Sequence, residues 1–273
     1  MMREYIRMAL VRDNPWLNGA PLAPWLQRHV PRGYIPRRVR LSGGDKACLV
    51  VGPRQAGKST LIWKTLAEAG QPVLLLNCED PAVREWLASP AVFLAELEGL
   101  TRARPALFFE EAQHLPEAGL FLKGVVDRRT GSDVFATGSS SFDLEARTRE
   151  SLAGRASRHR LLPFSLAEIG DTLDLAPILK DARLAEITQR MLVTGCFPAV
   201  FQAARPETEL AELVEAFVVR DASDRFRIQL LAAFRTVLEL MASQAGNLVN
   251  VSEWAALAGV SHGVVTEWSD LLE

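Results

Sequence analysis

The run Gly52-Pro53-Arg54-Gln55-Ala56-Gly57-Lys58-Ser59-Thr60 constrains this chain more than any other feature. It fits G-x-x-x-x-G-K-[ST] at every fixed position. Glycines at both ends let the backbone turn until successive N–H groups point at one anion. A helix starting at Lys58 would add its N-terminal dipole to the same spot. In such a loop the lysine reaches the β- and γ-phosphates of a nucleotide, and the Ser59 hydroxyl is a hard oxygen ligand for Mg²⁺. Lysine is scarce here: Lys46, Lys58, Lys64, Lys123 and Lys180 are the only five, against a positive side that is otherwise arginine.

The surroundings agree with a phosphate loop. Short apolar runs recur at 47–51, 73–76, 106–109, 134–136 and 160–163, separated by stretches of helical character. Continuous rather than alternating hydrophobicity marks strands buried on both faces, so the spacing predicts a parallel sheet wrapped by helices. The helix after the first strand should run from Lys58 to Gly70, with Pro72 beyond the stop. Residues 1–40 read as a helix over about 3–11 followed by a lead-in punctuated by Pro15, Pro21, Pro24, Pro31 and Pro36. Arg28, Arg32, Arg37, Arg38 and Arg40 make that lead-in basic, which fits either a solvated connector packed by Trp16 and Trp25 or a strap near bound phosphate.

Two further segments carry chemistry. The strand at 106–109 ends in Glu110-Glu111-Ala112-Gln113-His114. Downstream of a phosphate loop, the first acid would hold Mg²⁺ and the second would orient or deprotonate an attacking water. The metal set is therefore Ser59 and Glu110, and the catalytic set begins with Glu111 and Lys58. One strand later, Thr137-Gly138-Ser139-Ser140-Ser141 offers hydroxyls where a γ-phosphate sensor would stand, with Thr137 and Ser139 the candidates; the same residue types also make ordinary turns.

Composition excludes several classes. The chain has 273 residues, 31 Lys+Arg against 33 Asp+Glu, a net charge of −2 and 48% hydrophobic residues, which rules out a disordered tail or a histone-like polycation. Cys48, Cys78 and Cys196 lie far apart, and His29, His114, His159 and His262 show no metal-ligand spacing. No apolar run reaches the ~18–20 residues of a membrane span, and no signal peptide is recognisable. A cytoplasmic location is the expectation.

After Phe164 the apolar period becomes helical: Leu210, Leu213, Val214, Phe217 and Val218, then Leu230, Leu231, Phe234, Val237, Leu238 and Met241. The expected layout is a lead-in (1–40), a phosphate-loop core (41–165), a helical domain (166–245) and a partial helix-turn-helix (246–273). The last would place a helix from about Ser252, a turn at Gly259-Val260-Ser261 and a second helix. From Leu248 to Glu273 there is no Lys or Arg, whereas Glu253, Glu267, Asp270 and Glu273 are acidic. Reading DNA needs cations facing phosphates, so this segment is expected to contact protein instead.

With these residues assembled, the chain resembles the prokaryotic AAA-type P-loop ATPases whose C-terminal half is a helical domain of unassigned function. The resemblance rests on Tyr34-Ile35-Pro36-Arg37, the phosphate loop, Glu110-Glu111-Ala112-Gln113, Thr137 to Ser141, Ser151 to Arg155, Leu161 to Ser165, Gly195-Cys196-Phe197-Pro198 and Val219-Arg220-Asp221. It implies an α/β additional-strand core of AAA/RecA type, strand order 5-1-4-3-2, ATP and Mg²⁺ as ligands, and homo-oligomers. It also implies that Arg155 contacts the γ-phosphate, from the same chain or a neighbour, with Arg220 a weaker second candidate. Similar proteins usually carry Asp-Glu where this chain has Glu110-Glu111, and they continue with a wing and a further domain beyond the point where this sequence halts, which suggests a truncated product.

Three functions compete on the sequence: a Mg²⁺-dependent ATPase that couples hydrolysis to conformational change, a slow nucleotide-operated switch, and a DNA-associated adaptor using the arginines at 28–40, Arg147, Arg149, Arg155, Arg158 and Arg160. The presence of a second acid after the strand favours the first.

Overall fold

A computed structural model describes residues 3–101, 103–128, 131–139, 152–218, 222 and 229–272. The expected sheet is present: β1 (Ala47–Gly52), β2 (Val73–Asn77), β3 (Ala106–Glu110), β4 (Val134–Ser139) and β5 (Ala156–Arg160). Every pairing is parallel, and the order is β2-β3-β4-β1-β5, the expected 5-1-4-3-2 read from the other edge.

Alternation sends successive side chains of each strand to opposite faces. Leu49, Val51, Leu74, Leu76, Leu107 and Phe109 enter one core. Cys48, Val50, Val73, Leu75, Phe108 and Phe135 enter the other. The first face is covered by α1 (Glu4–Asp13), α4 (Pro81–Trp86), α5 (Pro90–Leu100) and α6 (Ala118–Asp127), through residues such as Leu10, Trp86, Phe93 and Leu122. The second is covered by α2 (Leu22–Arg28) and α3 (Lys58–Ala69), through Trp25, Leu26, Ile62 and Trp63. Trp63 stacks on His29 at 4.0 Å and meets Phe108 edge-on at 5.3 Å. The helix after the phosphate loop ends as its stop chemistry requires, with Gly70 left-handed at φ 64°.

One strand lies elsewhere than expected. The apolar run 160–163 is not β5; the strand is 156–160, and Leu161 packs just past its end. As an edge strand bonded to β1 alone, β5 is mostly half-exposed, so it carries Arg158, His159 and Arg160 instead of an apolar run.

The opposite edge is closed by a side chain that hydrophobic patterning does not reveal. Asn14, fully buried, accepts from the Leu75 N–H at 2.6 Å and donates to the Leu75 carbonyl at 2.9 Å, so its amide stands in for a neighbouring strand. Trp16 adds a 2.6 Å hydrogen bond to the Val73 carbonyl. The Asn14→Ala substitution strands two buried backbone groups, and a loss of about 1–3 kcal/mol is expected. Urea unfolding measures it; a midpoint indistinguishable from wild type would mean water takes over both bonds.

By internal contacts the chain divides into two compact units, 1–201 and 202–273. Residues beyond Ser165 thus divide between the units: α7 (Leu166–Asp171) and α8 (Pro177–Thr194) pack within the first. The short α9 (Pro198–Gln202) follows them at the unit boundary. The second unit contains α10 (Pro206–Ala216), α11 (Leu231–Ser243), α12 (Val251–Ala258) and α13 (His262–Leu272). Its core is Phe234, Val237, Trp254, Val265 and Trp268. A three-residue turn, Gly259 to Ser261, joins α12 to α13, close to where the sequence pattern expects it. Among the described residues no helix is long and apolar enough to cross a membrane.

Candidate functional site

The phosphate loop leaves the buried end of β1. A Cβ on Gly52 would lie 2.0 Å from the Leu161 carbonyl oxygen, so only glycine lets β1 and the chain after β5 approach this closely. The turn then uses two positive-φ residues, Gln55 at 59° and Gly57 at 90°. A non-glycine residue there carries strain of about 1–3 kcal/mol, the kind of cost that clusters at ligand clamps. Helix α3 begins at Lys58, so its unbonded first-turn N–H groups lie beside the loop. Lys58 is 5% exposed, and its Nζ donates to the carbonyls of Gly52 at 3.1 Å and Pro53 at 2.9 Å. The ammonium is held over the loop's own backbone.

Glu110 ends β3 in register with Asn77 of β2. Burial pushes its carboxyl above the ordinary value; a hydrogen bond with the Ser59 hydroxyl opposes this, while Glu111, Glu79 and Asp13 add negative charge nearby. A half-buried carboxylate near a hydroxyl, in surplus negative charge, is an all-oxygen donor set of the kind a divalent cation relieves. Ser59 and Glu110 are the pair expected from the sequence as metal ligands, and the Ser59 hydroxyl is near enough to lower the Glu110 pKa.

Glu111 is the second non-glycine residue with positive φ, 54°. Its N–H donates to Thr137 Oγ1 at 3.0 Å, and its carboxylate accepts from Gln113 Nε2. Among the described residues, Gln113 Oε1 is the buried side-chain acceptor with no partner. Glu79 and His114 complete the surroundings: their ligand atoms and one of Glu111 lie within 4.8 Å of one another, with His114 Nε2 3.5 Å from Glu79. Sequence spacing hides this group because Glu79 follows β2 while the other two follow β3.

The remaining candidates divide. Thr137 is fully buried, and its hydroxyl accepts from the Glu111 N–H. Ser139 pairs with Gly52 across β4 and β1, which brings its backbone to the phosphate loop; its side chain lies outside the described residues, as do Ser140, Ser141, Arg147, Arg149, Ser151 and Val219 to Asp221. Arg155 stands just before β5, at the N-terminal end of the strands. Its carbonyl accepts from the Ala47 N–H at 2.9 Å, at the start of β1, and its guanidinium pairs with Asp127. The length of β1, about 16 Å at ~3.3 Å per residue, separates it from Gly52. In this chain Arg155 thus stands a strand's length from the loop and pairs with Asp127.

Arg37 and Gln113 stand in the motifs of the resemblance without an assigned task. The structure buries Arg37 against the phosphate loop, where Nη1 donates to the Ala56 carbonyl at 2.8 Å. Its place in a basic run leaves open whether the lead-in is a solvated connector or a strap near bound phosphate, and the structure puts this arginine on the loop.

Family models agree with this geometry. Residues 44–170 match the model described as AAA domain, and residues 185–273 match a domain of unknown function (DUF8612). Uncharacterized protein Rv2008c of Mycobacterium tuberculosis and Uncharacterized protein Mb2031c of Mycobacterium bovis are each 28% identical over 229 residues, covering 82% of this chain and 47% of theirs. An uncharacterized protein of Haemophilus influenzae is 23% identical over 258 residues, 88% of this chain and 63% of its own. The chain thus spans between about half and under two thirds of these relatives. Among solved structures, a mutant form of Thermotoga maritima RuvB matches with a TM-score of 0.33 and 16% identity, over 94% of this chain and 83% of that one.

Proposed function

We propose, from the premise that residues 44–170 are an AAA-type P-loop domain, that this chain binds Mg-ATP at the C-terminal edge of its sheet and hydrolyses it to ADP and phosphate. The observation that supports the reading is what the strand ends bring to one end of the sheet: the phosphate loop after β1, Glu110 at the end of β3, and Glu111 at positive φ with its N–H on Thr137 of β4 between them.

In this reading the N–H groups of the loop and the start of α3 bind the phosphates, and Lys58 exchanges its two carbonyl partners for phosphate oxygens. Ser59 and Glu110 would hold Mg²⁺, which when bound neutralises charge on the phosphates. Glu111 takes a proton from water as the water oxygen bonds to the γ-phosphorus; the bond from that phosphorus to the bridging oxygen breaks, and ADP leaves with the electron pair. Thr137 and Gln113 hold Glu111 in its unusual backbone and side-chain position. Steady-state phosphate release with Mg-ATP tests the whole reading, and release no faster from wild type than from Glu111→Gln would remove it.

Arg155 fits a role across subunits. Turnover per chain should then rise with protein concentration, and Arg155→Ala should flatten that rise. A chain that light scattering shows to be a monomer at full activity would remove this part. The second unit, with no Lys or Arg from Leu248 onward, is read as a helix-turn-helix that contacts protein, through which the nucleotide state reaches a partner.

A further inference from the structure

A guanidinium buried far from solvent demands partners in several directions, and Arg37 has them. It lies between α2 and β1 and is 6% exposed. Nε donates to Glu168 Oε1 at 3.1 Å, Nη1 to the Ala56 carbonyl at 2.8 Å, and Nη2 to the carbonyls of Leu162 and, at 3.3 Å, Pro163. The ring of Phe164 lies 5.1 Å from its centre. Glu168 in turn caps α7 through Ser165 and accepts from the Arg38 N–H at 2.9 Å. One cation therefore joins three segments: the lead-in, the middle of the phosphate loop, and the chain from the end of β5 into α7.

The bond to Ala56 has a directional consequence. A trans peptide is planar, with its C=O and N–H pointing in opposite directions. Holding the Ala56 carbonyl against Arg37 turns the next N–H, that of Gly57, away from Arg37. Gly57 needs its φ of 90° in this arrangement, and a Cβ there would stand 3.8 Å from both Arg37 Nη1 and Pro198 Cγ. Fixing this peptide plane settles in advance which way one of the loop's donors faces. Lysine could not reproduce the arrangement, because its single ammonium cannot direct donors from three nitrogens to partners on separate segments.

We infer that Arg37 is a positioning residue of the phosphate loop, setting the Ala56–Gly57 peptide for a phosphate oxygen and tying that setting to the segment 162–168. The inference rests on the reading that this loop binds a nucleotide. It differs from a purely structural pin in what it predicts: nucleotide affinity falls by more than any loss of stability explains.

The test compares the full chain with Arg37→Lys, Glu168→Gln and Asn14→Ala. Thermal midpoints are measured alongside Kd for Mg-ATP and Mg-ADP, each titrated well below the midpoint. Arg37→Lys is expected to weaken both nucleotides about tenfold to a hundredfold, the worth of one charge-assisted hydrogen bond. Asn14→Ala, destabilised at the far edge of β2, should bind as wild type. Glu168→Gln keeps the Arg37–Ala56 bond and should lose far less affinity than Arg37→Lys at a comparable midpoint. If Arg37→Lys lowers the midpoint while both Kd values stay at wild type, Arg37 is a pin and the inference fails alone. If wild type binds neither nucleotide, the function reading fails and takes the inference with it.

Discussion

Glu111→Gln should reduce steady-state phosphate release by about 10²–10⁴-fold, the usual worth of a general base. Mg-ATP binding should persist. The amide keeps the size and one acceptor oxygen, so the Gln113 Nε2 hydrogen bond can survive, and the backbone bond to Thr137 does not involve the side chain. What the amide cannot do is accept the proton that water must lose. Phosphate release and equilibrium binding together check the expectation. Unchanged turnover would show that Glu111 is not the base, and lost binding would give it a part in holding the nucleotide.

Lys58→Ala should act on the other half of the problem. Removing an ammonium that contacts two phosphates is expected to weaken Mg-ATP on the order of 100-fold or more. In the free protein the buried Gly52 carbonyl and the half-buried Pro53 carbonyl lose Nζ, at a cost of about 1–3 kcal/mol that leaves the fold intact. A thermal midpoint within a few degrees of wild type, with nucleotide titration showing the loss, is the predicted pair of results. Wild-type affinity in this variant would mean that the lysine stays on its own loop carbonyls when nucleotide binds. The two substitutions thus separate chemistry from binding, and neither should collapse the fold.

The parts of this design that are legible in the sequence share a cause. A strand buried on both faces must be apolar throughout, so β1 to β4 are visible as runs. The phosphate loop needs glycine where the backbone turns or another segment approaches, and it needs lysine and serine at fixed offsets, so it is visible as a pattern. Glycine at the end of α3 is visible for the same reason: its conformation excludes other residues. Edge strand β5 escapes because one paired side and a solvent-facing surface relax the demand for apolar residues, and Leu161 to Phe164 beyond it supply a more attractive run.

The site is legible as a list of residue types and not as a set of contacts. Ser59 and Glu110 are paired on chemistry, as oxygen donors just after β1 and at the end of β3, strands that β4 separates in the sheet. Thr137 attracts notice for its hydroxyl, and only the tertiary structure shows that this hydroxyl accepts from the Glu111 backbone. Arg155 carries two readings in the sequence, same chain or neighbour, and the parallel pairing of β1 with β5 puts it at the opposite end of the strands from the loop.

By itself, then, the sequence determined the class of fold, the order of its strands through a resemblance, the phosphate loop and the carboxylates beside it. These follow from local rules: burial selects apolar residues, sharp turns select glycine, and phosphate chemistry selects lysine and hydroxyls. Only tertiary structure decided which polar side chains are interior. Asn14 closing the β2 edge and Arg37 reaching the loop are buried, and half-buried Gln113 holds Glu111; residue type alone does not tell which polar side chains go inside. Their energetic value comes from backbone groups brought in from 19 to more than 100 residues away, or from a turn that reverses direction, and such partners exist only once the chain has folded.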